Sequence, residues 1–203
     1  MNKVAAHYDR LVEHGDDPVR DIQPLREYMD KWDGQAFLTA LRLDGTQSVL
    51  EIGVGTCRLA VRIADDCATF CGIDLSEKAI MRARENLSGK KNVGLICGDF
   101  LTHAFSETFD VAYSSLTFMH IEDKGFAIRK AASLLKDGGR FVLSIDKNQD
   151  RQIDAGFSRI DVYPDDPENI KTHILAAGLA LEEHIQTEFA HILIAEKKNA
   201  QRG

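Results

Sequence analysis

The sequence predicts an α/β fold, in which a seven-stranded, mostly parallel sheet ends in an antiparallel hairpin, with helices on both faces and a helical cap before the first strand. From residue 46 onward, short apolar runs alternate with amphipathic segments, which is typical of a parallel sheet covered on both faces. Near the C-terminus, the apolar runs Leu179–Thr187 and Ala190–Glu196 are separated by so short a link that only an antiparallel hairpin fits.

Length and composition predict one soluble globular domain of 203 residues, with 44% hydrophobic and 28% charged residues. We divide it into a helical cap (1–45), a core (46–197) and a tail (198–203). The net charge of −7 disfavours a nucleic-acid partner, because phosphate binding needs a concentrated positive surface. No apolar run has membrane-spanning length and no signal-peptide pattern opens the chain, so we expect no membrane association and a cytoplasmic location.

The four cysteines predict buried, reduced thiols rather than a metal site. Cys67 and Cys71 lie close together in the sequence, but no matching pair of ligands occurs elsewhere, so we expect no metal. Cys71 and Cys97 fall within apolar strand patterns.

The cap is predicted to be helical in three short pieces. Apolar residues recur at helical spacing within residues 4–12, 25–32 and 37–43. Residues that interrupt helices separate these pieces, namely Pro18, Pro24 and Gly34.

The core is predicted to alternate strands with helices. The predicted strands before the closing hairpin are 48–52, 69–73, 93–97, 109–113 and 140–145, with a short extended piece at 160–163. The predicted helices are 58–64, 77–87, 126–135 and 167–177. Ser76 suits a helix N-cap, and Gly89 and Gly178 suit helix ends.

Four residues stand just past the ends of predicted strands, namely Gly53, Asp74, Asp99 and Ser114. The carboxyl ends of parallel strands share one edge of the sheet, where such folds bind their ligands. Gly53 and Gly55 form a turn that lets the backbone approach a ligand closely. A carboxylate about 20 residues further on, here Asp74, suits the two hydroxyls of a ribose. The pattern therefore predicts a nucleoside cofactor at this edge.

Five segments of the core form a recognisable series: Val49–Thr56, Gly72–Ser76, Gly98–Phe100, Phe109–Ser115 and Leu135–Leu143. In this order and at these intervals they resemble the class I S-adenosylmethionine-dependent methyltransferases, particularly the small-molecule branch, over residues 46–197. The resemblance implies a Rossmann-like fold and methyl transfer from S-adenosyl-L-methionine to a small-molecule acceptor. S-adenosyl-L-homocysteine would be the product.

The resemblance also implies cofactor contacts. The methionine part of the cofactor would lie against Glu51, against the turn of Gly53, Val54 and Gly55, and near Ser114. The ribose hydroxyls would bind Asp74, and the adenine would lie beside Leu75, Asp99 and Phe100. The family often has glycine at the position of Cys57, and a side chain there would crowd the helix start or contact the cofactor.

Three aromatic residues outside these segments have two interpretations each. Tyr8 would contact the cofactor carboxylate, or it would pack as a half-buried aromatic residue of an amphipathic helix. Trp32 would line an acceptor pocket or pack the cap on the core. His120 is the candidate catalytic residue, because it could accept a proton from the acceptor; its alternative is a structural hydrogen bond. Displacement from a positively charged sulfur needs little acid catalysis, so no other catalytic residue is predicted.

Two other functions compete with this one. A nicotinamide-dependent oxidoreductase would carry a third glycine at the position of Arg58. A catalytically silent protein with the same fold would bind the cofactor without transferring the methyl group. Ser114–Thr117 stands where methyltransferases of planar amino groups carry Asn-Pro-Pro-Tyr, which favours a small-molecule acceptor over DNA. The oligomeric state has no signature in the sequence.

Overall fold

The computed structural model describes residues 2–199, which form a seven-stranded main sheet and a separate two-stranded ribbon. The strands are β1 (Ser48–Ile52), β2 (Thr69–Asp74), β3 (Val93–Cys97), β4 (Phe109–Ser115), β5 (Leu135–Asp146), β6 (Gln152–Asp154), β7 (Arg159–Asp161), β8 (Leu179–Gln186) and β9 (Ala190–Lys197). The helices are α1 (Lys3–Glu13), α2 (Gln23–Met29), α3 (Gly34–Leu41), α4 (Ala60–Ile63), α5 (Glu77–Asn86), α6 (Lys124–Leu134) and α7 (Pro167–Ala176). Within residues 2–199, no helix has the length and apolar character needed to cross a bilayer.

The order of strands in the main sheet is β3-β2-β1-β4-β5-β9-β8. The pairs from β3 to β5 are parallel, and β9 is antiparallel to both β5 and β8. The predicted fold class is therefore confirmed. The strand order reverses between β1 and β4, and in such sheets ligands bind in the crevice at this point.

The sheet is buried on both faces by two apolar clusters. Along β1, Val49 packs in one cluster with Phe37 of the cap, whereas Leu50 and Ile52 pack in the other with Ile128 of α6. Alternate residues of a strand point to opposite faces, so a strand at the centre of a sheet must be apolar at nearly every position. This explains why the run that precedes the glycine turn is almost continuously apolar.

Two predicted details of the core are wrong. The helix expected at 58–64 is only the four-residue α4, followed by a 3₁₀ turn over Ala64–Asp66. The extended piece expected at 160–163 is present as β7, and its partner β6 has only three residues, too few to show a periodic pattern in the sequence. Cys97 is exposed rather than buried because β3 is the edge strand of the sheet.

The segment before β1 is held to the core by three carboxylates. Asp9 accepts hydrogen bonds from the Ser76 hydroxyl and the Lys78 amide at 2.6 and 3.0 Å. The other two carboxylates, Asp17 and Asp33, are almost completely buried. Asp17 accepts hydrogen bonds from Arg82 and Asn86, and Asp33 accepts hydrogen bonds from Arg58 and Ser115.

The division into cap, core and tail stays a prediction; Met1 and residues 200–203 lie outside the described residues.

The turn after β1 has an unusual backbone. Gly53, Gly55 and Cys57 all have positive φ, at 78°, 53° and 78°. A Cβ on Gly53 would lie 2.1 Å from the Thr117 hydroxyl oxygen, so only glycine fits there. Cys57 is fully buried in a conformation that costs an L-residue about 1–2 kcal/mol. The structure thus explains why glycine is common at the position of Cys57 in the family that the sequence resembles.

We predict that the backbone at Cys57 reverses the usual order of stability, in which an alanine variant is more stable than a glycine variant. Elsewhere in folded structure, glycine is less stable than alanine by about 0.5–1 kcal/mol. At position 57, Cys57→Gly relieves the strain that Cys57→Ala keeps, so the glycine variant is expected to be at least as stable as the alanine variant. Urea denaturation of the two variants measures the difference.

Cys67 is the matched control, because it is also buried but has an ordinary extended backbone with φ −134°. There, Cys67→Gly is expected to be less stable than Cys67→Ala. If alanine were the more stable residue at both positions, Cys57 would not be strained.

Candidate active site beneath the helical cap

A cavity of about 400 Å³ lies at the carboxyl ends of β1, β2, β3 and β4 and is covered by α1. Nine of the ten residues predicted to contact the cofactor line it: Tyr8, Glu51, Gly53, Val54, Gly55, Asp74, Leu75, Asp99 and Phe100. The candidate catalytic residue His120 lines it as well. The structure thus brings residues from distant parts of the chain together in one cavity.

Ser114 and Trp32 do not lie on the cavity wall. The Ser114 side chain is fully buried and its hydroxyl donates to the Ile52 carbonyl at 2.8 Å, so the adjacent residue Ser115 lines the cavity instead. Side chains alternate along a strand, so a shift of one residue moves a hydroxyl to the other face. Trp32 packs against Tyr28 of the cap and against Phe189 in the link between β8 and β9, which supports its interpretation as packing of the cap on the core.

The carboxylate of Asp74 is fixed at the centre of the cavity wall. One oxygen accepts from the Gly55 amide and the other from the Ser76 amide, both at 2.9 Å. Burial raises the pKa of Asp74, and these amide hydrogen bonds oppose the shift. Each carboxylate oxygen can accept two hydrogen bonds, so both oxygens remain able to bind a ligand.

Asp99 is oriented in a similar way after β3. Its carboxylate accepts from the Leu101 amide at 2.8 Å, and the next side chain, Phe100, is buried. Lys130 of α6 donates to the carbonyls of Leu101 and His103 at 3.0 and 2.7 Å, and so holds this loop against the core. A polar acceptor therefore stands beside an apolar wall at this end of the cavity.

Glu51 forms a buried hydrogen bond at the base of the turn. The Tyr113 hydroxyl donates to Glu51 at 2.7 Å, and Glu51 also lines the cavity. Burial raises the pKa of Glu51 to about 8, with the Tyr113 hydrogen bond acting against the shift. A group with this pKa is mostly protonated at neutral pH.

Sequence reasoning missed the ion pair between Arg58 and Asp33. The Arg58 guanidinium donates to Asp33 at 2.5 Å, and the Ser115 hydroxyl donates to the same carboxylate oxygen. Arg58 lines the cavity, and its Nη1 is buried without a hydrogen-bond partner. The pair joins the segment between α2 and α3 to the glycine turn, and no local pattern in the sequence marks Asp33 as the partner.

Tyr8 of α1 and His120 meet above the cavity. The Tyr8 oxygen lies 2.8 Å from His120 Nε2, and the two rings pack edge to face with centroids 5.3 Å apart. Burial lowers the pKa of His120 to about 4, with His7 and Lys124 adding to the shift, so the ring is neutral at pH 7. His120 thus makes the structural hydrogen bond of its second interpretation, and its role as a base stays a prediction.

We predict that Glu51 makes the protein less stable as the pH rises. Its pKa is higher in the folded state than in the unfolded state, so its stabilising contribution is complete below pH 4.5 and is lost as the pH rises through about 8. Glu51→Gln keeps an acceptor for Tyr113 and does not titrate. Urea denaturation between pH 5 and 8 should therefore give a flatter profile for this variant than for the wild type.

The control for this prediction is Glu183→Gln, which changes an exposed glutamate of β8. It is expected to keep the wild-type dependence on pH. Parallel profiles for Glu51→Gln and the wild type would contradict the protonation assigned to Glu51.

The family model described as a methyltransferase domain matches residues 50–143. An uncharacterized methyltransferase of Geobacillus sp. strain WCH70 is 34% identical over 151 residues, which are 73% of this chain and 66% of that protein. The chain is also similar to phosphoethanolamine N-methyltransferase 1 of Triticum aestivum, at 31% identity over 68% of this chain and 26% of that protein. The chain therefore spans less than two thirds of the length of these relatives.

Solved structures of methyltransferases share the fold. The N-methyltransferase NodS from Bradyrhizobium japonicum, in complex with S-adenosyl-L-homocysteine, has a TM-score of 0.71 at 19% identity and covers 97% of this chain and 99% of its own. Magnesium protoporphyrin IX methyltransferase from Synechocystis PCC 6803, with bound S-adenosylmethionine, has a TM-score of 0.70 at 18% identity and covers 97% of this chain and 93% of its own. The chain belongs to the class I S-adenosylmethionine-dependent methyltransferases, whose cofactor is S-adenosyl-L-methionine.

Proposed function

We propose that the protein transfers a methyl group from S-adenosylmethionine to a small-molecule acceptor that binds beneath the cap. One observation supports this proposal above the others. The Asp74 carboxylate lies on the cavity wall and accepts a hydrogen bond from the Gly55 amide of the glycine turn. Asp99 lines the same cavity. A nucleoside needs acceptors of this kind for its ribose hydroxyls and its adenine amino group.

The residues fit the nucleoside half of the cofactor. Asp74 would accept the two ribose hydroxyls with the lone pairs that the Gly55 and Ser76 amides leave free. Asp99 would accept from the adenine amino group, and the apolar side chains of Leu75 and Phe100 would lie against the ring.

The residues also fit the methionine half. A Cβ on Gly55 would meet nothing within 4 Å, so the backbone is open toward the ligand at this point. Nη1 of Arg58 lies 4.0 Å from Asp30 Oδ1 and has no hydrogen-bond partner, so it would suit the methionine carboxylate, because guanidinium–carboxylate hydrogen bonds are strong. Glu51 would lie near the methionine amino group.

When bound, S-adenosylmethionine supplies a methyl group on a positively charged sulfur, which a nucleophile displaces in line. The protein's contribution to such a reaction is alignment and the exclusion of water. The turn and Asp74 would fix the donor side. The α1 helix, fastened through Asp9 and through the contact of Tyr8 with His120, would cover the acceptor and keep water out.

We predict that Asp74→Asn weakens the binding of S-adenosylhomocysteine by about 10–100-fold, because hydrogen bonds to a charged group contribute about 1.5–3 kcal/mol. Isothermal titration calorimetry measures the affinity. Asp150→Asn removes the same charge from an exposed loop away from the cavity and is expected to bind like the wild type. Equal affinities of the two variants, or a preference of the wild type for NAD, would contradict the role of Asp74.

Transfer of a labelled methyl group to a panel of metabolites tests the activity itself. We expect incorporation into at least one small molecule, and less than a tenth of that incorporation with the Asp74→Asn variant when the cofactor is kept below saturation. Binding of S-adenosylhomocysteine without any transfer would favour a catalytically silent binding protein.

A further inference from the structure

A buried carboxylate, Asp33, lies directly behind the cavity wall. Its side chain is fully buried, and Asp33 does not itself line the cavity. It occupies the N-cap of α3, where an aspartate side chain ordinarily accepts from the first amides of the helix, but it makes no such hydrogen bond within residues 2–199. Instead, one of its oxygens accepts from both Arg58 and Ser115, which line the cavity. Asp33 therefore supports the cavity wall rather than its own helix.

The two residues that Asp33 holds come from the two strands between which the strand order reverses. Arg58 follows the turn after β1, and Ser115 is the last residue of β4. The charge of Asp33 also reaches the base of the turn. Burial raises the pKa of Glu51 and the Tyr113 hydrogen bond opposes this shift; the charges of Arg58 and Asp33 act next, in opposite directions. Asp33 thus acts at the end of the cavity that would hold the methionine half of the cofactor.

Asp33 determines which hydrogen-bonding groups these two residues can offer to a ligand. A carboxylate can only accept, so the Ser115 hydroxyl must donate to Asp33, and the Ser115 oxygen keeps its lone pairs. Arg58 donates to Asp33 through Nη2 at 2.5 Å, whereas its Nη1 has no hydrogen-bond partner among the described residues. A cationic donor and a neutral acceptor are therefore held by the same oxygen atom.

This combination of a donor and an acceptor suits an α-amino acid group. The methionine half of the cofactor carries a carboxylate, which needs a donor, and an ammonium group, which needs an acceptor, on the same carbon. Nη1 of Arg58 would bind the carboxylate, and the Ser115 oxygen would accept from the ammonium group. A ligand without this amino acid would leave both groups unpaired, and unpaired polar groups in a site are a strong source of selectivity.

Building on the proposed function, we propose that Asp33 is the positioning residue for the amino-acid half of the cofactor and that it acts through Arg58 and Ser115. The site would thereby distinguish S-adenosylmethionine and S-adenosylhomocysteine from adenosine derivatives that lack the amino acid. Asp74 and Asp99 would contact the nucleoside, which all these compounds share, so they cannot provide this selectivity.

Asp33 also fastens the segment between α2 and α3, so a loss of affinity alone does not distinguish positioning from fastening. Asp17 provides the matched comparison. It is another almost completely buried carboxylate of the cap, and it accepts hydrogen bonds from Arg82 and Asn86 of α5. Neither Asp17 nor these two partners line the cavity. Asp17→Asn therefore loosens the cap without changing a contact of Arg58.

The experiment is calorimetry on the full chain with S-adenosylhomocysteine and with 5′-methylthioadenosine, which has the same nucleoside and sulfur but no amino acid. Asp33→Asn replaces an acceptor atom with a donor that opposes Arg58 and Ser115. It is expected to weaken S-adenosylhomocysteine at least about tenfold and to leave 5′-methylthioadenosine within about twofold. Asp17→Asn is expected to change both affinities by the same factor. Equal losses of both ligands with Asp33→Asn overturn the proposal.

Ser115→Ala tests the acceptor and leaves the ion pair of Asp33 intact, so this variant is expected to fold even if Asp33→Asn does not. It should weaken S-adenosylhomocysteine about threefold or more relative to 5′-methylthioadenosine, as the loss of one hydrogen bond implies. Ser114→Ala removes the neighbouring hydroxyl, which is buried and donates to the Ile52 carbonyl, and should keep the wild-type ratio of the two affinities. An unchanged ratio for Ser115→Ala, or the same change for both variants, contradicts the proposal.

The wild-type protein separates this proposal from the proposed function. We expect it to bind S-adenosylhomocysteine at least about tenfold more tightly than 5′-methylthioadenosine, because two hydrogen bonds to the amino acid are lost in the smaller ligand. Binding of neither ligand refutes the proposed function and this proposal with it. Equal affinity for the two ligands refutes only the role of Asp33, because the nucleoside would still be bound.

Discussion

The hydrogen bond from the Gly55 amide to the Asp74 carboxylate joins the ends of β1 and β2 and determines the shape of the site. The turn can reach Asp74 only because its backbone adopts positive φ at Gly53, Gly55 and Cys57. Gly53 in turn lets Thr117, beyond the end of β4, approach without a clash. Three neighbouring strands therefore end at one compact junction, and the cavity is the space that this junction leaves beneath the cap.

The position of the cap depends on buried carboxylates, as the backbone conformation of the turn depends on glycine. A buried carboxylate without partners is strongly destabilising, so Asp17 and Asp33 hold the cap in place only while their arginine partners on the core remain in contact. The cavity is covered by α1. The helix α2, which has no buried residues, lies in the chain between these two anchors.

The sequence predicted which residues meet at the edge of the sheet better than it predicted side-chain pairings and strand ends. Apolar runs, N-caps and glycines are local signals, so the positions of Gly53, Asp74 and Asp99 at one edge followed from the alternation of strands and helices. The pairing of Asp33 with Arg58, by contrast, depends on how the cap docks, and no local pattern encodes it. Ser114 was misplaced relative to Ser115 because the predicted strand end was uncertain by a residue or two, and one residue reverses the face of a side chain.

Tyr8 and His120 lie far apart in the sequence, and each had an ordinary structural interpretation on its own. Only the docking of α1 over the carboxyl ends of the strands brings them together. Their hydrogen bond joins the cap to the segment that follows β4. The five core segments identify the methyl donor, whereas the acceptor depends on tertiary contacts of the cap.

A crystal structure of the protein with S-adenosylhomocysteine tests the central claim most directly. It should show the ribose hydroxyls within hydrogen-bond distance of the Asp74 carboxylate and the adenine beside Asp99 and Phe100. The space around Tyr8 and His120 should remain free for the acceptor. A ligand whose ribose lies away from Asp74, or whose methionine half fills the space beside Tyr8, would contradict this arrangement.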